Sequence, residues 1–176
     1  MRALVVYESM FGNTEKVARA VAAGLADGLE VEVHEVSTAP VQVTDLVDLI
    51  VVGAPTHAFS LSRLSTRDDA LAKGATQGDR EIGIREWLTH LSERPHSELM
   101  AAFDTRAERM RRLPGSAAHA ATRLARHRGF EPAGVESFYV SATAGPLLPG
   151  ELERATAWGR GLASAMTARA HGQPVG

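Results

Sequence analysis

Glu8-Ser9-Met10-Phe11-Gly12-Asn13-Thr14 is the segment of this chain best equipped for chemistry. It follows a short apolar run and precedes a helical pattern, so its backbone N–H groups fall at a helix N-terminus. Unpaired donors and the positive end of the helix dipole favour an anion there. Ser9 and Thr14 add hydroxyl donors, Gly12 lets the backbone approach closely, and Asn13 suits a tight turn or an amide contact. No Lys or Arg lies inside the loop, so a phosphate bound there would be held by neutral donors and keep its charge. The same residues also suit a plain turn with Thr14 as helix cap.

Other chemistries are disfavoured by what is missing. The chain has no Cys, which excludes disulfides, thiolate metal ligation and a cysteine nucleophile, so redox chemistry would need a bound cofactor. No Gly-x-Gly-x-x-Gly follows a strand, and neither Gly-x-x-x-x-Gly-Lys-Ser/Thr nor Gly-x-Ser-x-Gly occurs. The pairs His119/His127 and His90/His96 lack a metal-ligand spacing with an acid in place, and these histidines are expected at the surface.

The elements that must position the loop are short apolar runs alternating with helical patterns, the sequence form of repeated βα units around a parallel sheet. Strands are expected at 3–7, 30–36, 49–53, 99–103 and 136–140. Helices are expected at 14–25, 84–91, 116–128 and from about 150 to 170, with a further helical piece at 68–73. Leu49-Ile50-Val51-Val52 is apolar throughout, as a strand covered on both faces should be, whereas Glu30-Val31-Glu32-Val33-His34-Glu35-Val36 alternates and belongs near an edge. The expected architecture is a three-layer, doubly wound α/β fold with a five-stranded parallel sheet. Its ligand would lie beyond the carboxyl ends of the strands, in the loops after Tyr7, Gly53 and Phe103.

With 176 residues, 44% of them hydrophobic, the chain can fill one core. One domain over 1–171 and a tail at 172–176 are expected. The net charge of -2, from 19 Lys+Arg against 21 Asp+Glu, hides a basic stretch in which Arg106, Arg109, Arg111, Arg112, Arg123, Arg126 and Arg128 face a single acid, Glu108. Such a run reads as a solvated helix face, or as a positive surface for an acidic redox partner or for the phosphates of a nicotinamide nucleotide. Without interleaved aromatics it is a poor nucleic-acid site. No apolar run approaches the roughly 18 residues of a membrane span, and a cytoplasmic location is expected.

From Val5 to Ala18 the string Val-Val-Tyr-Glu-Ser-Met-Phe-Gly-Asn-Thr-Glu-Lys-Val-Ala resembles the start of the flavodoxin family, whose phosphate loop runs Ser/Thr-x-Thr-Gly-x-Thr. Phe11 replaces the middle Thr. Gly53-Ala54-Pro55-Thr56 is similar to the family's turn after the third strand, and 141–151 to its fifth-strand exit. The resemblance implies sheet order 2-1-3-4-5 and FMN as cofactor, with the phosphate on Ser9, Met10, Phe11, Gly12, Asn13 and Thr14. It places the ring against Pro55, Thr56, His57 and Phe59 on one side and Phe103, Asp104, Thr105 and Arg106 on the other. His57 or Phe59 would have to stand in for the usual aromatic, and no Tyr follows Phe103. Arg106 near the ring would stabilise an anionic reduced flavin and raise its potential. The implied function is electron transfer with a redox partner protein or a small-molecule acceptor. An FMN-dependent NAD(P)H or quinone reductase and a flavin-free scaffold are the alternatives.

Overall fold

The computed structural model describes residues 1–43, 46–92 and 96–172; the end of the expected tail, 173–176, lies outside them. Its elements are β1 (Arg2–Tyr7), α1 (Asn13–Leu25), β2 (Glu30–Glu35), β3 (Leu49–Pro55), α2 (Leu64–Ala72), α3 (Ile84–His90), β4 (Leu99–Ala107), α4 (Ala117–His127), β5 (Glu131–Val140) and α5 (Glu151–Ala170). The five strands pair in the order β2-β1-β3-β4-β5, all parallel. This is the expected doubly wound topology.

The central strands are apolar on both faces because each face carries its own core. Val5, Val51, Ala101 and Phe103 pack with α1 and α5, while Val6, Ile50, Val52 and Ala102 pack with α3 and α4. On the first face α1 and α5 touch backbone to backbone. A Cβ at Gly159 would stand 2.2 Å from the Val21 carbonyl oxygen, and one at Gly24 would stand 2.1 Å from that of Thr156. Trp87 is fully buried under α3, and Trp158 packs against Phe103 and Phe138.

Several boundaries differ from the sequence reading. β4 does not stop at Phe103 but continues through Asp104, Thr105 and Arg106 to Ala107, because these polar residues pair with β3 and β5 in register. β5 begins at Glu131, with a register irregularity opposite Met100–Ala101. Pro132 is tolerated there because the strand is at the sheet edge and beside a bulge. α2 begins at Leu64 rather than at residue 68. His90, His119 and His127 are exposed, but the His96 side chain is buried, its ring stacked on Phe130 at 3.6 Å and its Nδ1 2.9 Å from Glu98.

Candidate functional site

The loop after β1 turns sharply into α1 at Gly12, whose φ of 80° lies in the left-handed region that favours glycine. The Glu8 N–H donates to the Gly53 carbonyl (2.8 Å), and the next loop N–H to find a partner is that of Lys16, on the Gly12 carbonyl (3.2 Å). Among the described residues no hydrogen bond uses the N–H groups from Ser9 through Thr14. Ser9, Met10, Asn13 and Thr14 are nevertheless buried. Buried backbone donors are almost always paired, so a run of free ones at a helix N-terminus describes a cradle for an anion.

The N-terminus of α4, on the other side of the same crevice, is the opposite case. Its first donors are taken up by side chains: Ala117 N–H by Thr56 Oγ1 (3.0 Å) after β3, Ala118 N–H by Asp104 Oδ2 (3.0 Å) on β4, and His119 N–H by Oγ of the helix's own cap, Ser116 (3.3 Å). α4 is sealed and α1 is open. That contrast leaves α1 as the terminus with donors to spare, and it gives the polar side chains of Thr56 and Asp104 a role in capping α4.

Beside the cradle lies a cavity of about 310 Å³, at the lower end of the size of small-molecule sites. Of the sequence-predicted residues, Met10, Phe11, Asn13, Thr14, Pro55, Thr56, His57, Thr105 and Arg106 line it. Thr14 and Thr105 join their hydroxyls across it (2.8 Å), and Asn13 Nδ2 donates to the Ala144 carbonyl (3.0 Å), tying the loop to the turn before α5. The others sit elsewhere. Ser9 lines a neighbouring cavity with Tyr7, Glu35 and Gly78, Phe59 is exposed at a turn, and Phe103 is in the core. Asp104 is fully buried behind the wall, capping α4.

Arg106 does not stand out in solvent, and among the described residues it forms no ion pair with an acid. It is buried, and one terminal nitrogen donates to the carbonyls of Met110 and Leu113. Its Nε is enclosed without a partner, as is Ser9 Oγ. Burial lowers the pKa of His57, with nearby Arg67 and Lys73 acting the same way, so its imidazole is neutral at pH 7.

Sequence reasoning missed one wall of the cavity. Thr66, Asp69 and Ala70 come from α2 and Lys73 is the residue that caps it, while Arg109, Met110 and Thr143 come from loops. α2 has a weak amphipathic pattern, and only Asp68-to-Lys73 suggested a helix. What holds it is Arg67, fully buried, which donates to Ser62 Oγ (2.8 Å), the Arg80 carbonyl (2.8 Å), the Glu81 carbonyl (3.0 Å) and Glu86 Oε2 (3.1 Å). The segment so anchored reaches back over the anion loop, where Gln77 N–H donates to the Met10 carbonyl (3.3 Å).

Glu8 closes this network from β1. Its Oε2 accepts from Ile84 N–H (3.0 Å) while Oε1 has no partner. Burial raises its pKa above the ordinary carboxylate range, and bonds from Ser62 and Ile84 and the charge of Arg67 only partly oppose this. The native state therefore holds the proton more tightly than the unfolded chain. The contribution of this one group to stability is fully present below the ordinary carboxylate value and is lost as pH rises from there through the raised native value. Glu8→Gln keeps an acceptor for Ile84 and removes the titration, so its melting temperature should decline less than wild type between pH 4 and pH 8. Parallel melting-temperature profiles would contradict this assignment.

The family model described as Flavodoxin matches residues 5–83, the span that contains the anion loop, the turn after β3 and α2. A search of curated proteins finds no match. Among solved structures, a flavodoxin from the domain Archaea is similar at 18% identity, covering 95% of this chain and 99% of that one (TM-score 0.63). The Streptococcus pneumonia TIGR4 flavodoxin is similar at 20%, covering 96% and 99% (0.62), and a flavone reductase at 18%, covering all of this chain and 66% of that one (0.61). The protein is flavodoxin-like, by the sequence of its N-terminal half and by its fold throughout. Among the described residues no helix is long and apolar enough to cross a membrane.

Proposed function

We propose that the protein binds FMN in this crevice and transfers electrons through it. The observation that carries the reading is the run of free N–H groups from Ser9 through Thr14. These would hold the phosphate, with Gly12 permitting close approach and the Thr14 hydroxyl adding a donor. Pro55, Thr56, His57, Thr105 and Arg106 line the cavity where the ring would lie. Bound there, the flavin supplies the one- and two-electron chemistry that no side chain of this Cys-free chain offers. The residues fit that group: the unpartnered Arg106 Nε suits a ring acceptor atom, and the neutral His57 can lie against it without adding charge. The absence of a base in the phosphate loop leaves phosphate recognition to neutral donors, while the cationic Arg106 favours the anionic reduced ring.

An absorbance spectrum of the purified protein, before and after adding FMN and removing the excess, tests the reading. Retained flavin bands are expected. A blank trace in both cases would leave a flavin-free domain of the same fold. A second reading, an FMN-dependent NAD(P)H or quinone reductase, is favoured by Lys73 and Arg109 at the cavity wall. It predicts bleaching of the bound flavin by NADPH, and no reduction within minutes removes it.

A further inference from the structure

Phe59 is the residue that the cavity leaves unexplained. Phe59 and Ala58 both have left-handed backbones, with φ of 64° and 46°, in a tight turn closed by reciprocal bonds between His57 and Ser60 (2.9 and 3.0 Å). Turns of this kind ordinarily carry Asn, Asp or Gly at those positions. The turn nevertheless holds an aromatic ring outward, 45% exposed and outside the cavity. Strained backbone that displays an apolar side chain points to a function for the display.

The loop after β4 packs beneath this turn, since a Cβ at Gly115 would stand 2.9 Å from the Phe59 carbonyl oxygen. It carries Leu113, also 45% exposed, and Arg109, Arg111 and Arg112, all exposed. Among the described residues none of the three meets a carboxylate, and Arg111 instead lies over the Tyr139 ring, 4.2 Å from its centroid. Some exposed arginines elsewhere are neutralised, Arg2 by Glu30, Arg80 by Asp68, Arg160 by Asp27 and Arg169 by Glu131, whereas Arg63, Arg123 and Arg126, also exposed, meet no acid among the described residues and have no exposed aromatic of this kind beside them in the chain. Glu108 is the one acid in 105–115. A chain of net charge -2 thus keeps unpaired positive charge beside two exposed apolar side chains at the mouth of its cavity, to which Arg109 contributes.

We propose that this patch docks an acidic protein, with Phe59 and Leu113 as the apolar centre and Arg109, Arg111 and Arg112 as the charged rim. A small anion would leave the two apolar side chains without a role, and Arg111 and Arg112 stand outside the cavity. Electron exchange through the patch rests on the FMN reading; the docking does not.

The test uses a reduced plant-type [2Fe–2S] ferredoxin, a small acidic protein, as the probe. One electron leaves its iron–sulfur centre and enters the flavin of the FMN-loaded protein, followed by stopped flow. The second-order rate should fall as salt is raised, and R111E/R112E should lower it about tenfold or more at low salt. F59N, which suits the turn and removes the ring, should lower it at all salt concentrations with the salt slope kept. A rate that rises with salt, or one untouched by either variant, overturns the proposal. So does an equal loss, in R111E/R112E, of the rate at which ferricyanide takes an electron from the previously reduced flavin, combined with no effect of F59N, which would show a field without a surface. If the protein retains no FMN, calorimetric titration of the apoprotein with oxidised ferredoxin separates the two readings. Salt-sensitive binding lost in R111E/R112E upholds the docking while electron transfer fails, and no binding overturns both.

Discussion

Gly12→Val should weaken FMN binding about a hundredfold and leave the far-ultraviolet circular dichroism unchanged. Gly12 has a φ of 80°, where a β-branched residue is strained by roughly 1–2 kcal/mol. Relief of that strain would turn the peptide planes on either side, which are the planes that aim the free N–H groups at the anion. Losing even one charge-assisted hydrogen bond removes about 1.5–3 kcal/mol, so strain and lost bonds together reach the hundredfold expected. The sheet is untouched, because a Cβ at Gly12 meets nothing closer than the Gln77 side chain at 3.4 Å. Thr14→Ala removes one hydroxyl and frees Thr105, and a loss of roughly tenfold is expected. Titration by quenching of FMN fluorescence measures both. Unchanged affinity in the two variants would refute the cradle.

A large loss of stability should come from Gly159→Ala. The added methyl would sit 2.2 Å from the Val21 carbonyl oxygen and crowd the Gly24 Cα at 3.2 Å. These are backbone atoms of a packed helix and cannot step aside as a side chain can. A destabilisation of about 3 kcal/mol or more is expected in urea unfolding, at the upper end for overpacking. Gly161→Ala, two residues on in the same helix, meets nothing within 4 Å and should instead stabilise by about 0.5–1 kcal/mol through helix propensity. Opposite signs at the two positions would establish that contact between α1 and α5, and not glycine content, sets the tolerance of α5. Equal effects would contradict the packing.

The sheet was legible because parallel strands covered on both faces must be apolar without interruption, and Leu4 to Tyr7, Leu49 to Val52 and Leu99 to Phe103 are so. The extension of β4 through Asp104, Thr105 and Arg106 was not, since polar residues on a buried strand look like a loop until their partners are known. Asp104 caps α4, Thr105 meets Thr14, and Arg106 bonds carbonyls of the loop that follows it. The strand, turn and helix around residues 8–14 are legible from local spacing, while their reading as a phosphate loop rests on the resemblance of the string from Val5 to Ala18. The wall from α2 is not legible, because it depends on Arg67 reaching Ser62, Arg80, Glu81 and Glu86, and long-range bonds of one side chain leave no periodic trace. Phe59 shows the limit of residue type as a guide: an aromatic stands where the sequence suggested one, but turned away from the cavity by a backbone conformation that its identity does not announce.

The irregular pairing of β5 with β4 also shapes how molecules meet at high concentration. A sheet edge is a template on which a second chain can add a strand. β5 offers a poor one, kinked opposite Met100–Ala101 and carrying Pro132, which has no N–H to donate. At the far edge β2 presents Glu32 and Glu35, with Glu30 paired to Arg2, so two copies brought edge to edge would set like charges against each other. Neither border of the sheet extends readily into a fibril-like stack, and encounters between copies are directed to side-chain surfaces instead.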